Sequence, residues 1–203
     1  MKNLKTQRFL KRSIDVAVSA ALLVLLLPVF AAVGFLVLCD DGFPVCYRRR
    51  VIGLPGSFDA FKFRTMVRNA DCILASTPGL KAEFERNYKL KNDPRVTRVG
   101  AFLRKYSLDE LPQLLNVLRG QMSLVGPRMI TERELEKYGA HKELVRSVKP
   151  GMTGSWQVRG RQNVSYHERV EMDAHYVTQW SLGMDLRILA QTPRKVFKRE
   201  GAF

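Results

Sequence analysis

The sequence predicts an α+β fold that is mostly helical, with a small β-hairpin or sheet, an N-terminal helix–break–helix and surface amphipathic helices. Three observations predict it. An uncharged apolar run over residues 16–38 is broken in its middle by Pro28. Residues 45–63 hold short β-like pieces punctuated by Gly53, Pro55 and Gly56. From residue 67 onward, helical patterns alternate with Pro- and Gly-marked turns.

Residues 2–12 form a basic, partly apolar leader suited to a lipid headgroup region. Ser13 and Asp15 are expected to cap the first helix of the apolar segment. Lys2, Lys5, Arg8, Lys11 and Arg12 precede the run, and Arg48, Arg49 and Arg50 follow it. Positive charge marks the cytoplasmic side of a membrane segment, and here it marks both ends. Pro28 removes a backbone donor and bends a helix, so charge and proline together favour a re-entrant hairpin whose ends return to one face. A spanning helix with a proline kink remains the alternative. A cleaved signal is disfavoured because the run is long and no A-x-A site follows it. Leu38 before Cys39 is too bulky for a lipoprotein site. The division expected is a leader and hairpin over residues 1–40 and one basic domain over 41–203.

Within that domain, Asp40-Asp-Gly42 ends the apolar segment, and residues 45–63 form a β-hairpin leading into Lys62-Phe-Arg-Thr-Met66. Residues 67–91 are helical with an interruption near Thr77-Pro-Gly79. Residues 98–105 form a short helix, and 107–118 a longer one. Residues 131–148 form a charged helix, 150–161 an irregular Gly-rich stretch, 164–180 a helix, and 185–199 a basic amphipathic helix. The 203-residue chain carries 34 Lys and Arg against 19 Asp and Glu, a net charge of +15. Such an excess seeks polyanions: nucleic acid, anionic lipid or phosphorylated substrates. Three cysteines without a CxxC pair exclude a disulfide framework or a zinc site. His141, His167 and His175 show no metal spacing, and Walker, Rossmann and nucleophile-elbow motifs are absent.

The chemistry concentrates in residues 106–128, YSLDELPQLLNVLRGQMSLVGPR. Ser107-Leu-Asp-Glu110 matches the S-x-x-E capping box. In one reading Glu110 bonds back to the Ser107 amide and Asp109 complements the helix dipole. In the other, Asp109 is an ionised nucleophile or a Mg²⁺ ligand. Arg104, Lys105, Arg119 and Arg128 surround the pair in sequence. Strand alternation puts Lys62 and Arg64 on one face. Arg128 follows the rigid Gly126-Pro127 turn, and Arg159 and Arg161 flank Gly160. Together these cations describe a polyphosphate site. Trp156 reads as a loop anchor ahead of a base-stacking ring.

KFRTM, NDPRVTRVGAFLRKYSLDELPQLLNVLRG, MSLVGPR and KPGMTGSWQVRGR together resemble the bacterial sugar transferase family, the monotopic phosphoglycosyl transferases, over nearly the whole chain. The NDPRVTRVG and DELPQL wording is most similar to members using hexose nucleotides on undecaprenyl phosphate. The resemblance implies a single-face re-entrant hairpin broken at Pro28, at the cytoplasmic face of the bacterial inner membrane, in a minimal catalytic form. It implies transfer of a sugar-1-phosphate from a UDP-sugar to undecaprenyl phosphate with release of UMP, a first membrane step of exopolysaccharide, lipopolysaccharide or other glycoconjugate synthesis. Asp109 would be the nucleophile forming an aspartyl-phosphosugar and the Mg²⁺ contact, and Glu110 its partner acid. Lys62, Arg64, Arg104, Arg128 and Arg159 would bind substrate phosphate. Expected partners are the UDP-sugar, undecaprenyl phosphate and membrane lipids, without nucleic acid, and homo-oligomerisation is left open. The sugar is not named by the residues; glucose and galactose lead, with N-acetylated sugars behind. Gln121 stands where many members have an acid, Met129 where many have proline, and Leu27 where a small or polar residue is common. The rival readings are a membrane-tethered nucleic-acid-binding protein, with steeply salt-dependent affinity, and a non-catalytic scaffold.

Overall fold

The computed structural model describes residues 2–54, 56–87, 90, 92–159 and 164–198. Lys2–Leu25 form one continuous helix, α1, and Leu27–Asp41 form α2. The two are bent by 63° at Leu26. Pro28 sits in the first turn of α2, where its missing N–H is tolerated. The same missing donor cannot serve the Val24 carbonyl, so the ladder breaks two residues before the proline. No single described helix is long and apolar enough to cross a membrane, but the bent pair meets that test together. Its large apolar side chains face outward: Phe9, Val24, Leu25, Leu27 and Phe35 are each more than 60% exposed.

Nothing interrupts the helical pattern before Leu25, so Ser13 and Asp15 lie inside α1 and cap nothing. Asp15 is buried and accepts the Leu124 amide at 3.0 Å. Ser13 donates to the Phe9 carbonyl one turn back. The end of the basic leader is likewise turned into the protein. Lys11 pairs with Asp185 at 2.6 Å and donates to the Val125 carbonyl. Arg12 donates to the Val117 and Leu118 carbonyls.

Cys46–Ile52 (β1) and Ser57–Phe63 (β2) make the expected antiparallel hairpin, with Tyr47 opposite Lys62 and Ile52 opposite Ser57. Phe63 faces α2, packing with Phe30, Val33 and Val37. Two helices, Ala70–Ser76 (α3) and Pro78–Asn87 (α4), are separated at Thr77 as the Pro–Gly signal requires. Arg98–Lys105 (α5) is capped by Thr97, whose hydroxyl accepts the Gly100 amide. Gly100 lets α5 lie on the chain leaving β2: a Cβ there would stand 2.1 Å from the Thr65 carbonyl oxygen. Gly100→Ala is therefore expected to force α5 away, at a cost of about 2–3 kcal/mol, the upper part of the range for overpacking. Thermal unfolding checks this, with a Tm lowered by roughly 5–10 °C.

The expected helix over 107–118 is instead a 3-10 turn at Leu108–Glu110 followed by Gln113–Leu118 (α6). Pro112 lacks an N–H and cannot continue a helix begun at Ser107. A two-stranded parallel sheet, Ser123–Val125 (β3) and Gly151–Thr153 (β4), was not foreseen. Gly151 permits its closeness, since a Cβ there would meet the Gly126 nitrogen at 2.0 Å. The charged helix over 131–148 is three short pieces: Glu132–Leu135 (α7), a 3-10 segment at Glu136–His141, and Lys142–Arg146 (α8). Gly139, at φ +50°, makes the kink. The stretch read as irregular after Pro150 contains β4 and a short helix, Ser155–Arg159 (α9). Tyr166–Thr178 (α10) begins with a Ser165–Glu168 capping box, and Leu182–Lys198 (α11) ends the described chain.

The main core joins β1, β2, α6, β3, α10 and α11 through Val51, Phe58, Val117, Val125, Tyr176 and Ile188. Helix α1 packs on it against α6, β3 and α11. Asn116, fully buried, ties α6 to β2: it accepts the Phe61 amide and donates to the Asp59 carbonyl and the Gln121 side chain. An acid at 121 would accept the same bond, so Gln121 leaves that tie intact. Met129 is buried in the main core and Leu27 is exposed.

Candidate active site

Three elements meet at the acid pair. Strand β2 carries Lys62 in its penultimate position, α5 ends in Arg104 and Lys105, and the 3-10 turn holds Asp109 and Glu110. Between helix and turn, Ser107 adopts φ +56°, the one left-handed non-glycine among the described residues. Its side chain caps nothing, so no capping box forms there. The αL residue reverses the chain and turns Asp109 inward. Capping boxes do form at Thr131–Glu134 and Ser165–Glu168.

Asp109 is 7% exposed. Lys62 Nζ lies 2.6 Å from Glu110 Oε1 and 3.8 Å from Asp109 Oδ2, so one ammonium serves both acids. Burial pushes the Asp109 carboxyl above the usual carboxylate range. Lys62 and Arg104 oppose that push, while Glu110 adds to it. Arg104 Nε donates to the Thr65 hydroxyl at 2.9 Å. Burial lowers the Arg104 pKa, and Asp109 and Asp93 work against that lowering. The result is a desolvated carboxylate held beside two cations, an arrangement suited to attack on an electron-poor centre that itself bears negative charge.

Other expected phosphate ligands lie elsewhere. Arg64 falls just beyond β2 and is buried against the hairpin exit. Its Nη2 donates to the Asp41 and Gly42 carbonyls at 2.8 and 2.6 Å, and it pairs with the Asp41 carboxylate at 3.2 Å. Arg64 thus anchors α2 to the strand rather than joining the acid pair. Arg128 lies over Trp156, with Cζ 5.0 Å from the ring centroid. Trp156 is buried, as a loop anchor should be. Arg159 is exposed at the end of α9. Pro55, Gly160 and Arg161 lie outside the described residues.

Two further groups are given no site role by the sequence, which places Asp173 on a polar helix face. Arg169 Cζ lies 4.7 Å from the Trp156 centroid and 5.1 Å from that of Tyr166. Asp173, fully buried, accepts the Tyr138 hydroxyl at 2.9 Å and the Arg128 amide. Burial raises its carboxyl to about 6 against the pull of those bonds and of the nearby arginines. The signal available was helical spacing: Tyr166, Arg169 and Asp173 stand at i, i+3 and i+7 on one face.

Among the described residues, no three His, Cys, Asp or Glu side chains converge as a metal cluster. The Asp109–Glu110 pair nevertheless fits Mg²⁺, which is commonly held by one or two carboxylates plus substrate phosphate oxygens. The burial that disfavours the Asp109 charge makes added positive charge there favourable.

The fold and site define a cation-held carboxylate centre built beside an apolar, bent helix pair. The chain belongs to the bacterial sugar transferase family, whose model matches residues 6–199. It is 48% identical over 98% of its length to a UDP-galactose-lipid carrier transferase of Erwinia amylovora, covering 42% of that protein. It is 46% identical over 98% of its length to an undecaprenyl-phosphate galactose phosphotransferase of Salmonella typhimurium, covering 43% of it. An exopolysaccharide production protein ExoY of Sinorhizobium fredii is 47% identical over 95% of the chain and is covered over 88% of its own length. The chain thus spans less than half of the two longer relatives and most of the shorter one.

Proposed function

We propose that this chain moves a hexose-1-phosphate from a UDP-sugar to undecaprenyl phosphate through Asp109. The observation that carries the reading is Lys62 held between Asp109 and Glu110, with Asp109 buried. Asp109 Oδ attacks the sugar-bearing β-phosphorus. The bond from that phosphorus to the bridging oxygen breaks, and UMP leaves with the electron pair. An oxygen of the lipid phosphate then attacks the same phosphorus and displaces the Asp109 carboxylate, giving undecaprenyl diphosphate-sugar. The transition states spread negative charge, so positioned cations supply most of the catalysis. Lys62 and Arg104 neutralise charge at the attacked group. Glu110 fixes the Lys62 ammonium and handles the proton of that cluster. Mg²⁺, held by Asp109 and Glu110 when bound, would add charge neutralisation at the diphosphate.

The names of the relatives support a lipid carrier and a galactose donor, so UDP-galactose is the first donor to try, ahead of UDP-glucose. Purified chain with undecaprenyl phosphate, Mg²⁺ and UDP-galactose or UDP-glucose is expected to release UMP. Release of UDP would instead establish a glycosyltransferase and overturn the reading.

The bent α1–α2 pair enters the membrane as a re-entrant hairpin from the cytoplasmic face. Its outward apolar surface and the cations at both ends support this. The exposed Cys39, Cys46 and Cys72 are first replaced. Single cysteines near residues 5 and 50 should then both resist a membrane-impermeant thiol reagent in intact cells and react after lysis. Labelling of residue 5 from the periplasm would establish a spanning helix.

Arg128 is proposed to contact donor phosphate through its planar fork, which Lys does not reproduce. Arg128→Lys is expected to lower kcat/KM for the UDP-sugar by roughly tenfold or more, the scale of one lost charge-assisted hydrogen bond. An unchanged kcat/KM would reduce Arg128 to general electrostatics.

A further inference from the structure

Arg104 is held at one point. Its Nε donates to the Thr65 hydroxyl at 2.9 Å, and among the described residues its guanidinium makes no other hydrogen bond and no ion pair. Burial lowers its pKa, and Asp109, Asp93 and Glu110 oppose that lowering, so three acids lie close enough to act on it. Two of them are occupied. Arg95 donates to the Asp93 carboxylate from its amide, its Nε and its Nη2, the last at 2.7 Å. Lys62 holds Glu110 at 2.6 Å. The third, Asp109, stays clear of an ion pair with Arg104 and is approached by Lys62 at 3.8 Å. The Thr65 hydroxyl therefore decides where this guanidinium sits.

The backbone fixes that hydroxyl in turn. Thr65 is 7% exposed. Its carbonyl accepts the Thr97 amide at 3.1 Å, Met66 bridges Val96, and the Val67 amide donates to the Arg95 carbonyl at 2.9 Å. On its other side Arg64 is tied to the end of α2. Gly100 and Arg104 stand at i and i+4 on one face of α5, and helical side chains lean back over the preceding turn. The close approach that Gly100 permits to the Thr65 carbonyl thus brings Arg104 Nε onto the Thr65 hydroxyl.

The docking of α5 does not need that hydroxyl. The Thr97 amide bond uses the Thr65 carbonyl, Gly100 packs on the Thr65 backbone, and Leu103 is buried in a cluster with Phe63. A methyl group would fill the same space. What the hydroxyl adds is an acceptor for one side of a planar, five-donor fork, leaving both Nη groups for other oxygens. An arginine immobilised before substrate arrives spends no rotamer freedom in the transition state.

We propose that Thr65 is a positioning residue for the transfer: its hydroxyl holds Arg104 by Nε, so that the Nη groups meet oxygens of the phosphoryl group that Asp109 attacks. The inference rests on the reaction through Asp109 proposed above.

The test is steady-state turnover of the full chain in detergent with Thr65→Val, which keeps the shape and removes the acceptor. Its kcat is expected to fall roughly tenfold or more, the scale of a hydrogen bond to a charged group, with KM for the UDP-sugar little changed, since the contact acts in the transition state. Thr65→Ser should recover most of the loss. Thr65→Ala carries the test should the Val variant fail to fold. Arg104→Gln alone is expected to cost roughly 10²-fold, and adding Thr65→Val to it should cost nothing more. A merely structural threonine would instead give losses that multiply. Nitrogen-15 relaxation at Arg104 Nε should show the side chain loosened in Thr65→Val and rigid in Thr65→Ser, with or without turnover. An unchanged kcat in both Thr65→Val and Thr65→Ala, losses that multiply with Arg104→Gln, or an Arg104 Nε as rigid in Thr65→Val as in wild type would overturn the inference. Release of UDP by the wild type would sink the proposed reaction alone, and the Thr65–Arg104 coupling would then be read from that product.

Discussion

Asp109→Asn is expected to abolish sugar-phosphate transfer, by on the order of 10⁴-fold or more, the scale seen when a covalent catalyst's nucleophile is removed. The same change should leave the protein as stable as wild type or more so. Asp109 is almost fully buried, and burial penalises its ionised form. An amide of the same shape removes that desolvation cost. Carboxyl groups with raised folded-state pKa stabilise below their unfolded pKa and lose that contribution as pH rises through the folded value. The gain in Tm for Asp109→Asn should therefore be absent at acid pH and grow above the ordinary carboxylate range. Turnover assays and thermal unfolding across pH check both parts. A variant that loses activity through unfolding, with a Tm well below wild type at every pH, would mark Asp109 as structural.

Lys62→Met is the second large effect. Methionine keeps the unbranched stem and removes the ammonium that serves Asp109 and Glu110 together. Burial has already raised the Asp109 pKa, and Lys62 is foremost among the groups holding it down. Without Lys62 the carboxyl titrates higher still. Activity that needs ionised Asp109 appears only above its pKa, so the acid limb of kcat/KM should move to higher pH. At neutral pH the loss should be roughly 10²-fold, comparable to a lost acid–base or electrostatic group. Lys62→Met should also lose stability relative to wild type as pH rises, because the two acids ionise without their shared cation. An acid limb at the wild-type position would return Lys62 to a solvated strand residue.

Much of the architecture was legible because it is written in neighbouring residues. Gly53 and Gly56 mark the β1–β2 turn, Thr97 caps α5, and Pro28 places the bend within two residues. Adjacent Asp109 and Glu110 drew notice by their position amid cations, and alternation put Lys62 on the correct strand. The rest depends on contacts between distant parts of the chain. Asp15 looks like a helix cap until Leu124, more than a hundred residues away, donates to it. Arg64 looks like a phosphate ligand by alternation, but the carbonyls at the end of α2 reach it first. Three-residue strands such as β3 and β4 carry too little pattern to read. The Ser107 capping box failed because Pro112 stops the helix it would have started, and the αL turn took its place.

A covalent phosphosugar on Asp109 is tested directly by intact-protein mass spectrometry. Wild-type chain incubated with the UDP-sugar and Mg²⁺, without lipid acceptor, should gain the mass of one hexose-1-phosphate less water. The adduct should disappear on adding undecaprenyl phosphate, and Asp109→Asn should never form it. The same mass gain on Asp109→Asn, or none on a wild-type enzyme that releases UMP only when lipid is present, would rule out a covalent intermediate on Asp109.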